Sequence, residues 1–411
     1  MRTLKTLLLT LPLSAVSLPL ATLSITALSN MSYAETLSAR VGEPLQQAQQ
    51  LAASGKWSDA MSKVKQAAAL PNKTTSEEKS INEFMAYIAL NSGDYTTAAN
   101  AYEATLPAIS NDKAALQKRL LTITQLHYRA KNYAKVNEFG QRYSKEFGNS
   151  LDIQQLLAQS AYLQKNYALA ETSSMALIQQ AQKSDQKVQE DWLKLLLSSQ
   201  QEQGKNTEAS ATLEQLLRDY PSQAYWQDMF SRLRHTPLNE QQTLETLRLK
   251  QRVGAFLPND YIDFSELALS QNLPAEAKTT LEQGISKGIL GKEPNSAREQ
   301  RLLKLATQHN NEDLASLAAL EKAAAARVDG EADSRLGDMY VSQGNYGSAL
   351  KSLQQALKKG KLKDADATLL HLGIAKFGLG QKAAAAAHFN SLSNNARYGQ
   401  IARLWAIYSA S

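Results

Sequence analysis

Five histidines are the first residues with chemical potential: His127, His235, His309, His371 and His388. No two of them stand three or four apart, the spacing that would set two imidazoles on one helix face for zinc. The chain has no cysteine, so a metal site would need histidines and carboxylates converging from distant segments. Gly378-Leu379-Gly380-Gln381-Lys382-Ala383 spells a dinucleotide fingerprint. That motif works only where a strand runs into a helix and the backbone meets a pyrophosphate, and here the surroundings read as helix, turn, helix. Gly291-Lys292 lacks the glycine spacing and the Ser/Thr of a phosphate loop, and neither G-x-S-x-G nor H-E-x-x-H occurs. Glu190-Asp191 and Glu312-Asp313 read as helix-start carboxylates favoured by the helix dipole. The expectation is a protein that is not an enzyme and has no cofactor and no metal.

The basic run Lys358-Lys359-Gly360-Lys361-Leu362-Lys363 reads as a solvated loop whose lysines finish a helix. Its competing role is a weak membrane-surface contact through Lys358, Lys359, Lys361 and Lys363. Arg2 and Lys5 precede an uncharged stretch that ends in Ser32-Tyr33-Ala34, the pattern of a secretory signal with a small-x-Ala cleavage site. The expectation is an exported, periplasmic chain. The alternative is an inner-membrane anchor through an uncleaved stretch from Thr6 to Leu28, against which Pro12 and Pro19 stand. Removing Arg2 and Lys5 from the 45 basic residues leaves 43 against 39 acidic ones. The excess is small and dispersed, which excludes nucleic acid as the expected partner.

The elements that would position any site come from an internal repeat. Gly55-Lys56-Trp57-Ser58-Asp59-Ala60, Gly93-Asp94-Tyr95-Thr96-Thr97-Ala98 and Gly344-Asn345-Tyr346-Gly347-Ser348-Ala349 share the pattern Gly-x-aromatic-x-x-Ala. Weaker copies place a small apolar residue at Val136, Ala170, Ala209, Ala277 and Ala385. Two of the intervals are double length, so each hides a degenerate unit, and ten units then recur about every 36 residues. One hidden unit spans Ala224 to Leu233 and Asn239 to Arg252. The other spans Ala297 to Gln308 and Asp313 to Arg327, turning at His309-Asn310-Asn311-Glu312.

Packing explains the markers. Two antiparallel helices joined by a tight turn must approach closely, so small residues face each other: Ala48, Ala86, Ala158, Gly337 and Gly373 on helix A, and Ala60, Ala98, Ala170, Ala349 and Ala385 on helix B. Gly or Asn at the turn takes the left-handed conformation that ends helix A. Thr124, Leu197 and Ser265 depart from the small-residue rule. Tyr398 to Tyr408 reads as one more helix whose Ile401, Leu404, Trp405 and Tyr408 cover the open end of the array.

On these residues the chain resembles the tetratricopeptide-repeat family over nearly all its length beyond the leader. The family's large-then-small pair of helix A stands as Leu336-Gly337 and Leu372-Gly373, its mid-helix aromatic as Tyr340, and its closing proline as Pro221. The layout is also similar to exported proteobacterial repeat proteins of about this length. The resemblance implies an all-α fold, a TPR-type α-solenoid of antiparallel helix pairs. The expected organisation is a signal peptide at 1–34, a lead-in at 35–43, TPR units at 44–221, a degenerate pair at 222–257, a unit at 258–292, a degenerate pair at 293–328, two strong units at 329–397 and a capping helix at 398–411.

The resemblance also implies a binding site. The family's ligand contacts lie at the fifth, ninth and twelfth positions of helix A, on the inner, concave wall. Carried onto this chain they include Glu83, Tyr87, Leu121, Gln125, Tyr128, Gln155, Gln159, Tyr162 and Lys194. Tyrosines flanked by glutamines suit an extended or helical polypeptide, offering flat apolar area with hydrogen-bond handles. The expected function is a periplasmic scaffold or adaptor that binds an envelope protein or peptide. The alternative is a promiscuous chaperone or assembly factor.

Overall fold

The computed structural model describes residues 37–292 and 294–410. The expected leader at 1–34 lies outside the described residues. All regular structure among the described residues is helical. In order the α-helices are α1 Ala39–Ala53, α2 Trp57–Ala68, α3 Thr75–Asn91, α4 Tyr95–Ala104, α5 Lys113–Arg129, α6 Tyr133–Phe147, α7 Leu151–Leu163, α8 Tyr167–Lys183, α9 Glu190–Glu202 and α10 Asn206–Asp219. They continue as α11 Gln223–Leu233, α12 Glu240–Arg252, α13 Pro258–Ser270, α14 Pro274–Ser286, α15 Ser296–Ala326, α16 Glu331–Ser342, α17 Tyr346–Lys359, α18 Ala365–Gly378, α19 Lys382–Ser391 and α20 Gly399–Ala410. The chain forms two compact units, the first ending at Thr212 and the second starting at Leu213. The fold class is an all-α, TPR-type solenoid.

Small residues set the pairing within each unit. Ala60, Ala98, Val136, Ala170, Ala209, Ala277, Ala349 and Ala385 are all fully buried, because each sits where helix B crosses helix A. Their partners are as tightly held. A Cβ built on Gly337 would fall 2.4 Å from Leu353 Cδ2, and one on Gly373 2.4 Å from Phe389 Cε1. Thr124 and Ser265, which depart from the small-residue rule, are also fully buried. Each bends its hydroxyl back to its own helix, Thr124 to the Leu120 carbonyl at 2.7 Å and Ser265 to the Tyr261 carbonyl at 2.7 Å. The polar atom is thereby satisfied by its own helix, and Ser265 Oγ also lies 3.3 Å from the Ala277 carbonyl of α14.

The turns differ in one respect from the expectation. At Asn132 and Asn166 the left-handed residue is the preceding lysine, Lys131 at φ 59° and Lys165 at φ 60°. The asparagines instead cap the next helix, accepting from the Lys135 and Leu169 amides at 3.4 and 3.3 Å. Asparagine is favoured in both roles, and the helix start wins because an uncapped N-terminus leaves amides without partners.

Two further expectations are corrected. Most of the lead-in at 35–43 is helix: α1 begins at Ala39, and Ser38 donates its amide and hydroxyl to Glu77 Oε1 at 3.1 and 2.5 Å. The degenerate pair at 293–328 is a single helix, α15, of 31 residues. His309-Asn310-Asn311-Glu312 contains neither glycine nor proline, and the two asparagines stay helical. Gln308 Nε2 donates to Glu312 Oε1 at 2.9 Å, one turn on, and carries it through.

Overpacking the helix crossing should cost stability where the gap is closed and not where it is open. Gly373→Val is expected to lower the free energy of urea unfolding by about 1–3 kcal/mol. Gly347→Ala, where a new Cβ meets nothing within 4 Å, should leave it unchanged or slightly higher.

Candidate functional site

In the first unit, α5 packs on α7 and α7 on α9, so their outward residues form one row. The structure divides the nine expected contacts into two groups. Glu83, Tyr87 and Gln159 are interior, at 8, 6 and 9% exposure. Arg119 Nη2 donates to Glu83 Oε1 at 2.7 Å, and the same guanidinium lies over the Tyr102 ring at 4.2 Å. Tyr87 meets Trp57 edge-on at 6.3 Å. These positions face the groove in a single repeat, but the neighbouring helix covers them in a stack, which sequence spacing alone cannot register.

The other six stay half-buried: Leu121, Gln125 and Tyr128 on α5, Gln155 and Tyr162 on α7, and Lys194 on α9. Each tyrosine is steadied by the aromatic of its own turn, Tyr128 by Tyr133 at 6.0 Å and Tyr162 by Tyr167 at 5.4 Å. Burial, with Tyr133 beside it, pushes the Tyr128 hydroxyl up to about 12. Burial does the same in direction to Tyr162, helped by Glu202. Both therefore remain neutral donors and acceptors at ordinary pH. Gln155 Oε1 accepts from Trp192 Nε1 at 3.2 Å. Lys194 reaches Glu190 and Asp191 at 3.2 and 3.4 Å, so those carboxylates both begin the helix and hold the lysine. The row is a rigid aromatic and amide surface with one tethered cation.

The second unit contains a polar centre that sequence reasoning missed. Arg248 on α12 is 3% exposed. It donates to Glu245 Oε1 at 2.6 Å and, from Nε and Nη2, to Glu276 at 3.0 and 2.7 Å. His371 on α18 presents Nε2 to the same Glu245 oxygen at 2.8 Å and Nδ1 to Asp338. Burial disfavours the imidazolium, but Asp338 and Glu245 outweigh it and raise His371 to about 10. Burial likewise opposes the Glu245 carboxylate, which Arg248 and His371 nevertheless hold at about 2. The four acidic and histidine partners come from α12, α14, α16 and α18, so no local spacing could reveal them. A guanidinium stands where a metal would need to be, and among the described residues no group of three or more His, Asp or Glu side chains is arranged to hold one.

The basic run is partly spent. Lys359 donates to the Ala324 carbonyl at 2.8 Å and to Asp333 at 2.7 Å, which ties α17 to its neighbours rather than to a surface. Among the described residues no helix is long and apolar enough to cross a membrane.

The tetratricopeptide-repeat family matches the chain at residues 334–396 and, through a second family model of the same repeat, at 198–222. Among solved structures, a tetratricopeptide-repeat protein from Parabacteroides merdae is 13% identical, over 66% of this chain and 100% of its own, with a TM-score of 0.32. The TPR2AB domain of yeast Sti1, in its complex with pHSP90, is 10% identical over 72% of this chain and 100% of its own, with a TM-score of 0.26. Yeast Tom70 is 11% identical over 90% of this chain and 95% of its own, with a TM-score of 0.24. No curated protein matches.

The polar centre predicts an alkaline stability limb. Because the folded state raises His371 above its ordinary 6.5, its contribution is fully present below that value and is lost as pH rises through about 10. Urea unfolding followed across this window should show stability falling with pH. His371→Gln should start less stable, since it strips Asp338 and Glu245 of a cation, and should show a flatter profile.

Proposed function

We propose that this tetratricopeptide-repeat protein is a non-enzymatic periplasmic scaffold that holds a segment of an envelope protein against the α5–α7–α9 face of its first unit. Tetratricopeptide repeats serve as protein-interaction scaffolds. The observation that carries the reading is the half-buried row Leu121, Gln125, Tyr128, Gln155, Tyr162 and Lys194. Its two tyrosines are already fixed by ring contacts, so a partner meets them without much further loss of side-chain entropy. Amides beside the rings can bond to a peptide backbone, and Lys194 is already held by Glu190 and Asp191. Export rests on the Arg2/Lys5 basic start and the Ser32-Tyr33-Ala34 site.

A promiscuous chaperone would need a broad, pliable apolar surface. Exposed Leu163, Leu169 and Met175 lie on α7 and α8, and they supply too little of it beside the amide-lined row.

A photo-crosslinking residue at Gln125 tests the face directly. It should join one defined envelope polypeptide, while the same residue at exposed Gln141 on α6 should join none. Equal capture from both positions would remove the site from this face, and capture of many unrelated unfolded chains from Gln125 would favour the chaperone.

A further inference from the structure

Trp192 on α9 is interior, at 3% exposure, and its indole nitrogen donates to Gln155 Oε1 at 3.2 Å. That bond settles which way the Gln155 amide is turned. An indole N–H can only donate, so the atom it meets is the amide oxygen, and the NH₂ group points elsewhere. Gln155 Nε2 has no partner among the described residues. Unlike Gln343 Nε2, it is not sealed from solvent. It is a free, oriented donor on α7, the middle helix of the row.

The rest of the row has no such fixed polarity. The Tyr128 and Tyr162 hydroxyls can turn to donate or to accept. Lys194 is the row's cation, and Glu190 and Asp191 already hold it. A carboxylate brought to Gln155 would therefore find no spare countercharge in the row. An unpaired charge taken out of water costs far more than one neutral hydrogen bond returns. The acceptor that suits a neutral donor in an aromatic row is itself neutral, and every residue of an extended chain carries one in its main-chain carbonyl.

We infer that Trp192 is a positioning residue of the peptide-binding face: it holds Gln155 as a donor, and the partner segment answers with a main-chain carbonyl oxygen. This rests on the proposed reading of the face and adds the chemistry by which the backbone of the partner is recognised. A main-chain bond is indifferent to the side chain at that residue. Selectivity then comes from the contacts of Tyr128 and Tyr162 with neighbouring side chains of the partner.

Linear peptides selected on the full chain from a phage-displayed random library serve as probes, with affinity read by fluorescence anisotropy. Tyr128→Ala plus Tyr162→Ala should weaken their binding on the order of tenfold or more. Gln155→Glu keeps an oxygen for Trp192 but loses the NH₂ group, so affinity should fall about tenfold with the unfolding midpoint unchanged. Trp192→Phe leaves the amide free to turn, and affinity should fall about threefold. Replacing one peptide carbonyl at a time by a thiocarbonyl, a poorer acceptor, should find a position that weakens binding to the unaltered chain and not to Gln155→Glu. Peptides that lose affinity for the tyrosine variant but keep it for Gln155→Glu overturn the bond and leave the face standing. So does a thiocarbonyl scan with no such position. Undiminished binding to Trp192→Phe overturns the positioning role. Peptides indifferent to the tyrosine variant, or a selection that returns none, overturn the face and the bond together.

Discussion

Two helices can pack closely along a crossing only where the facing side chains are compact, and this constraint runs through the repeats. Ala60, Ala98, Ala170, Ala277, Ala349 and Ala385 are fully buried for that reason, and Gly337 and Gly373 leave their partners no room for even a methyl group. Once the crossings are that close, the aromatic after each turn has a fixed pocket. Tyr133 then steadies Tyr128, and Tyr167 steadies Tyr162. The proposed peptide-binding row thus depends on buried crossing residues, Val136 and Ala170, that touch no partner.

The second unit uses the same pairing to a different end. Its last helix, α20, packs on α19 and also returns to α12. Arg403 clasps Glu214 through two bonds of 2.8 and 3.0 Å, Tyr408 donates to the Arg252 carbonyl at 2.9 Å, and Gln242 donates to the Arg397 carbonyl at 2.6 Å. Trp405 stacks on Phe389 at 5.6 Å, and Tyr408 meets Trp226 edge-on at 6.4 Å. Closure brings together charges that an open array would leave in water, and Arg248 with its carboxylates and His371 is the result. A buried charge set of this kind gives little net stability over an apolar core, but losing one member leaves the others unpaired.

Helix pairing was legible in the sequence because it is local: a small residue, a turn and an aromatic recur at one spacing, and each marker lies at a crossing. The long helix α15 was not. A doubled interval implied a hidden turn, whereas His309-Asn310-Asn311-Glu312 holds neither glycine nor proline. The Tyr398 to Tyr408 segment was legible as a helix with a buried face, but its second contact, with α12, joins residues more than 150 apart and leaves no periodic trace. For the same reason His371 read as a solitary histidine. On the first unit, residue spacing found the row but could not separate Gln125, which keeps solvent, from Glu83, which the next helix covers.

Closure of the second unit is the claim on which its polar centre rests. The chain has no cysteine, so a pair introduced as Gln242→Cys and Arg397→Cys can be read without background. Treated with a short bifunctional maleimide in native buffer, the pair should link within one chain, and mass spectrometry should recover the joined 242 and 397 peptides. If both thiols instead react separately and no joined peptide forms, α20 does not return to α12 and the closed unit is wrong.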